Sequence, residues 1–115
     1  MGFRLNGGCY VYWWEPEHPD RPQPLNMRLD LWDHSPSGFE WGYGGSGPSQ
    51  LALALAADAL GDGPRALAMH QRLKFTLIGR LHRDCWTLTR DQVCEAVTRL
   101  EDERRTRKEE SNEER

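Results

Sequence analysis

The sequence contains few cysteines and no long apolar run. Cys9, Cys85 and Cys94 are an odd number and lack the spacing of a disulfide framework or of paired zinc ligands. Their number and spacing predict a cytoplasmic chain with reduced cysteines and without a metal or cofactor. No apolar stretch has the length of a membrane span, and the first residues lack the basic-then-apolar layout of a signal peptide. A membrane partner is therefore not expected.

An excess of positive charge is also missing, since the formal net charge is −3. Such a chain has no general attraction to nucleic acid. One basic segment nevertheless runs from the second predicted helix to the start of the third, and it contains Arg65, Arg72, Lys74, Arg80, Arg83 and Arg90. Two interpretations of this segment stay open: a solvated helix face, or a contact with nucleic-acid phosphates or an acidic protein.

Apolar residues are absent after Leu100, where acids and bases alternate. This absence predicts a single α+β domain over residues 1–100, because the length of 115 residues supports one hydrophobic core. Residues 101–115 are predicted to form a charged helical extension that frays into a disordered tail. Helical spacing in this extension predicts the ion pairs Glu101–Arg105 and Glu103–Arg107.

Short runs of β-forming residues in the first part of the chain predict an antiparallel sheet within residues 3–43. Residues 3–5 and 9–14 flank Asn6-Gly7-Gly8, which is typical of a hairpin turn. Alternation over residues 25–31 and 39–43 predicts two further strands. The side chains of the hairpin alternate between two faces, and both faces are aromatic or apolar. The face with Tyr10, Tyr12 and Trp14 is a candidate interaction surface.

Three helices are predicted at about 48–60, 64–81 and 90–105, and the sheet is expected to pack on them. Gly47 before Pro48 indicates a cap followed by the first helical residue, with Gln50 reaching back to the cap amide. Asp62 begins the second helix, and Thr89 with Gln92 forms a capping box for the third. The fold class is therefore α+β, with the apolar first helix at its centre.

A glycine-rich stretch joins the predicted sheet to the first helix. Gly42-Tyr43-Gly44-Gly45-Ser46-Gly47 matches G-x-G-x-x-G, in which backbone N–H groups at a helix start bind a phosphate. The helix then leads into another helix rather than a second parallel strand, so a packing role of the glycines is the alternative. The candidate ligand-binding residues are Gly44, Gly45, Ser46 and Gly47, together with His34.

Other polar clusters admit both a chemical and a structural role. Asp33, His34 and Ser35 could converge with Asp30 and Glu40 into an acid–base cluster, or they could be turn residues. His82-x-x-Cys85 is the only close His/Cys pair and lacks the second pair of a structural zinc site. No metal site and no catalytic residue are predicted.

Residues 34–55, HSPSGFEWGYGGSGPSQLALAL, resemble a family of small bacterial, archaeal, plasmid and phage proteins of unknown function. The segments His70–Phe75 and Trp86–Thr89 look like later motifs of that family, so the resemblance covers about residues 25–95. It supplies no activity, cofactor or catalytic residue. It implies occurrence on mobile elements, where small proteins often act by binding.

Three functional hypotheses follow. The first is a non-enzymatic protein-interaction module, such as a mobile-element accessory or an anti-defence, anti-CRISPR-like inhibitor, which binds through Tyr10, Tyr12, Trp14, Arg72 and Lys74. The second is a phosphate- or nucleotide-binding module that uses the turn at Gly44–Gly47. The third is nucleic-acid binding by the basic second helix.

Overall fold

The chain folds as an α+β domain with a four-stranded antiparallel sheet and three helices, as predicted. The structure, a computed structural model, describes residues 1–5 and 8–113, with side chains through Arg107. The strands pair in the order β3-β2-β1-β4. The elements are β1 (Gly2–Leu5), β2 (Gly8–Trp13), β3 (Gln23–Pro24), α1 (Ser46–Leu60), α2 (Gly63–Thr76), a 3₁₀ turn (Ile78–Arg80), β4 (Cys85–Trp86) and α3 (Arg90–Glu113).

The predicted hairpin is present as the antiparallel pair β1 and β2, in which Phe3 lies opposite Tyr10. The turn residues Asn6 and Gly7, on which that prediction was based, lie outside the described residues. Val11 is buried in the core, whereas Tyr10 and Leu5 are exposed on the outer face of the sheet. One face of the sheet is therefore covered and the other is open to solvent.

The strands predicted at residues 25–31 and 39–43 are wrong. The Asn26 side chain accepts a hydrogen bond from the Arg28 N–H, and Arg28 adopts a φ of 54°, so the chain turns instead of extending. In residues 39–43, Phe39 and Trp41 are buried but Tyr43 is exposed, and their backbone pairs with no strand among the described residues. The two-residue strands β3 and β4 complete the sheet instead, and neither was predicted.

The observed helix limits agree best with the predicted ones where a side chain caps the start of the helix. Asp62 accepts from the Arg65 N–H, and Thr89 and Gln92 exchange both hydrogen bonds of the predicted capping box. The cap predicted for α1 is wrong, because the helix begins two residues earlier and Gly45 is its N-cap. The second helix is also shorter than predicted, since it ends at Thr76 and continues as a 3₁₀ turn.

Trp41 and Trp86 fill the space between the sheet and the helices. Their rings meet edge to face at 5.5 Å, and the Trp41 indole N–H donates to the Arg83 carbonyl oxygen at 3.0 Å. On the other side of this layer, α1 is buried along most of its length and packs against both α2 and α3. The apolar composition of α1 thus matches its central position.

The charged extension continues α3 without a break as far as Glu113. Its predicted ion pairs are wrong: Glu101 bonds Arg65 of α2, and Arg105 bonds Asp102. The predicted disordered end of the chain lies outside the described residues. Among the helices described, none combines the length and the apolar character needed to cross a membrane.

Candidate functional site

A buried glutamine holds the loop that carries His34. Gln50, the fifth residue of α1, is 0% exposed, and its amide makes four hydrogen bonds to that loop. Its oxygen accepts from the backbone N–H groups of His34 and Ser35, while its nitrogen donates to the carbonyl oxygens of Met27 and Trp32. Gln50 therefore fixes residues 27–35 on the helix instead of capping it.

His34 and His70 are joined through their Nε2 atoms, which lie 2.8 Å apart. His70 Nδ1 lies 2.6 Å from the carbonyl oxygen of Leu67, which can only accept, so Nδ1 carries a hydrogen. A neutral His70 then accepts at Nε2, and His34 must donate from its own Nε2. One hydrogen, carried by His34 Nε2, therefore lies between the two rings.

Both histidines are held towards their neutral forms. Burial lowers the pKa of His34 below its usual value, and the nearby His70 and Lys74 lower it further, whereas Asp33 opposes the shift. Burial also lowers the pKa of His70, with a smaller contribution from Lys74. Protonation of His70 at Nε2 would remove the acceptor of the hydrogen bond between the rings, and protonation of either ring would place a positive charge near Lys74.

Lys74 is buried rather than exposed, contrary to the sequence-based expectation for this helix face. It is 9% exposed, and its Nζ lies 4.3 Å from the centre of the Phe75 ring. The aliphatic stem is buried like a core side chain, while the ammonium lies against an aromatic face. Arg72, two residues earlier, is exposed on a different side of α2.

Three aromatic residues of the loop, the bend and α2 are exposed, and we refer to Trp32, Tyr43 and Phe75 as the aromatic surface. They are 55%, 50% and 63% exposed, respectively. Trp32 stacks on His34 at 5.6 Å, and a Cβ built at Gly44 would lie 3.4 Å from the Phe75 ring. The glycine-rich bend thus meets the end of α2, and Trp32 lies beside the histidine pair.

The four glycine-rich ligand candidates do not share one open cradle. Gly44 and Ser46 are exposed, but Gly47 is buried, and a Cβ there would lie 2.6 Å from Glu40 Cβ. Gly42 adopts a φ of 83° and donates its N–H to the Ile78 carbonyl oxygen. At Gly42 and Gly47 the packing interpretation therefore holds, and the accessible part of the bend is residues 43–46.

The predicted acid–base cluster does not assemble. Glu40 pairs with Arg4 and accepts from the Cys9 thiol at 2.7 Å, while Asp30 pairs with Arg28. Burial and the Glu40 carboxylate raise the pKa of Cys9 to about 11, so this thiol stays protonated at neutral pH. The Ser35 hydroxyl donates to the Gly38 carbonyl oxygen, so Ser35 has the structural role of a turn residue.

The predicted interaction residues fall into two groups. Tyr10 and Tyr12 lie on one face of the hairpin, where both rings stack with Phe3, at 5.6 Å and 6.0 Å. Tyr12 and Trp14 also contribute to the lining of a cavity of about 440 Å³ between β2 and the helices. Arg72 and Lys74 lie apart from the hairpin in sequence, on α2.

Three residues of the site were not singled out from the sequence as functional: Trp32, His70 and Phe75. His70 was named only as part of a family motif, and nothing in its spacing indicates a contact with His34, 36 residues away. The available signal was composition, because a tryptophan next to a turn and a phenylalanine on the polar side of a helix are unusual at the surface.

The arrangement is that of an α+β domain with a preformed face of three aromatic rings, two neutral histidines and one lysine. These groups can stack, donate hydrogen bonds and attract negative charge. Within the described part of the chain, no three histidine, cysteine or acidic side chains converge as metal ligands.

The chain belongs to a family of unknown function, DUF6166, whose model matches residues 2–99. This match confirms the resemblance to a family of unknown function. Comparison with curated proteins and with solved structures finds no match. The family match covers the whole aromatic surface and its histidine pair.

Proposed function

We propose that the protein is a non-enzymatic binding module that docks another protein on the aromatic surface. The observation that supports this proposal is the exposure of Trp32, Tyr43 and Phe75, each at least half open to solvent, with Lys74 against the Phe75 ring. Large aromatic residues with a basic side chain among them are the composition of interface centres. A host protein is the proposed partner, in keeping with an accessory or anti-defence role.

A protein partner is favoured over nucleic acid because two cations of the basic segment are engaged within the fold. Arg65 is paired with Glu101, and Lys74 packs on the Phe75 ring with 9% of its surface exposed. Sequence-independent binding to nucleic acid needs several free cations along one groove. The aromatic surface offers ring area with a single lysine.

We expect the triple variant Trp32→Ser, Tyr43→Ser, Phe75→Ser to lose the partner by at least about tenfold, since single aromatic anchors commonly contribute about 2 kcal/mol. Wild-type and variant proteins would be immobilised and exposed to a host lysate, with retained proteins quantified by mass spectrometry. Circular dichroism would establish that the variant is folded.

The matched control is the double variant Leu5→Ser, Tyr10→Ser, which removes exposed apolar area from the open sheet face. It should retain the same partner as the wild type. The proposal fails if the triple variant also retains the partner, if the control loses it, or if the wild-type protein retains nothing selectively.

A further inference from the structure

The indole of Trp86 carries a buried hydrogen-bond donor that the described residues do not use. Trp86 is 7% exposed, and its Nε1 is the one buried side-chain nitrogen or oxygen among those residues that has no hydrogen-bond partner. The T-shaped contact with Trp41 offers this N–H at most an aromatic ring, which is a weak acceptor. Because native proteins rarely leave a buried donor unpaired, Nε1 indicates an acceptor from outside the described chain.

Trp86 forms part of the wall of the cavity of about 440 Å³ between β2 and the helices. Gly2 packs against its indole ring, since a Cβ built at Gly2 would lie 2.5 Å from Nε1. Met1, the neighbour of Gly2, and Val11, its partner on β2, also line the cavity. The unpaired donor therefore lies at the wall of this cavity and not in a separate part of the core.

The inner lining of the cavity is apolar and aromatic. Buried side chains of Val11, Leu25 and Val93 line it together with the half-buried rings of Tyr12 and Trp14, whereas the charged side chains of the lining belong to exposed residues. A charged group inside the cavity would lose its water, so a neutral ligand is favoured. The volume lies within the range of about 300–1,000 Å³ that is typical of small-molecule pockets.

We propose that this cavity binds a small, neutral, planar molecule that accepts a hydrogen bond from Trp86 Nε1. The acceptor, a carbonyl oxygen or a ring nitrogen, satisfies the buried donor, and the rings of Tyr12 and Trp14 contact the flat body of the ligand. The lining includes none of the three residues of the aromatic surface. The site thus goes beyond the proposed docking function, and its test needs no protein partner.

The test is a comparison of quinoline with indole in titrations of the full chain at neutral pH, followed in ¹H–¹⁵N spectra of the tryptophan side chains. The two ligands are planar bicycles of similar size, but only quinoline has a ring nitrogen that accepts a hydrogen bond. We expect quinoline to shift the Trp86 N–H resonance saturably and to bind at least about fivefold more tightly than indole, the factor expected for one hydrogen bond. A Trp86 resonance that quinoline leaves unchanged would overturn the inference and would indicate that water serves the donor.

Trp86→Phe removes the N–H but keeps an aromatic ring, so quinoline and indole should bind this variant with about equal affinity. Trp32→Phe is the matched control, because it removes an exposed indole N–H outside the cavity and should keep the preference for quinoline. Ala59→Phe places a ring in the cavity from α1 and should weaken both ligands at least about tenfold. Circular dichroism would establish folding, and an unchanged preference in folded Trp86→Phe or unchanged affinities in folded Ala59→Phe would contradict the site.

Discussion

Gln50→Leu is expected to lower the free energy of unfolding by about 3 kcal/mol. Leucine is similar in size to glutamine, but it leaves four backbone groups of residues 27–35 without a hydrogen-bond partner. Each buried group without a partner costs about 1–3 kcal/mol before the loop relaxes. With a urea m-value of about 1.5 kcal/mol/M, the unfolding midpoint should fall by about 2 M.

Gln71→Leu is the matched control, because Gln71 is an exposed glutamine of α2 that accepts only one long hydrogen bond, from Ser49. Its effect should stay within about 0.5 kcal/mol. Equal midpoints for the two variants would show that the Gln50 amide does not hold the loop.

Stability should also fall as the pH is lowered from about 7.5 to about 5.5. Burial lowers the pKa of both His34 and His70 in the folded protein, so the unfolded chain binds more protons below the usual histidine pKa of about 6.5. The contribution of the pair is therefore complete above that value and is lost as the pH falls through the folded-state pKa values. Urea unfolding at a series of pH values measures it.

The double variant His34→Gln, His70→Gln should show a flatter pH profile, since it removes both groups that are held neutral. His18→Gln removes a histidine from the exposed proline-rich loop and should keep the wild-type profile. A profile of equal slope in the double variant would contradict the role given to the pair.

Much of the fold follows from local chemistry that a sequence displays. The hairpin, the Asp62 cap and the Thr89–Gln92 capping box depend on residues within a few positions of one another, so their patterns are visible. The predicted strand at residues 25–31 failed because the chain turns at Arg28 and the distant Gln50 side chain takes the Met27 carbonyl oxygen. The alternation of apolar residues in this segment indicates that they are partly buried, and a turning loop can bury them as well as a strand can.

The site was predictable only in part. His34 and the exposed bend at Gly44 were identified from turn and glycine chemistry, and both lie on the observed face. Lys74 was a candidate interaction residue because a lysine in a helical pattern indicates a solvated face, but most of its side chain is buried. The contact of His34 with His70 arises from tertiary packing, which no spacing in the chain encodes.

The loop that carries His34 meets α2 in one site, through a single hydrogen that lies between His34 and His70. Long-range ¹H–¹⁵N correlation of the imidazole rings at neutral pH tests it most directly. The predicted result is a neutral His70 with its hydrogen on Nδ1 and a His34 with its hydrogen on Nε2. A His70 with its hydrogen on Nε2, or two rings that average both tautomers as free imidazoles do, would contradict the account.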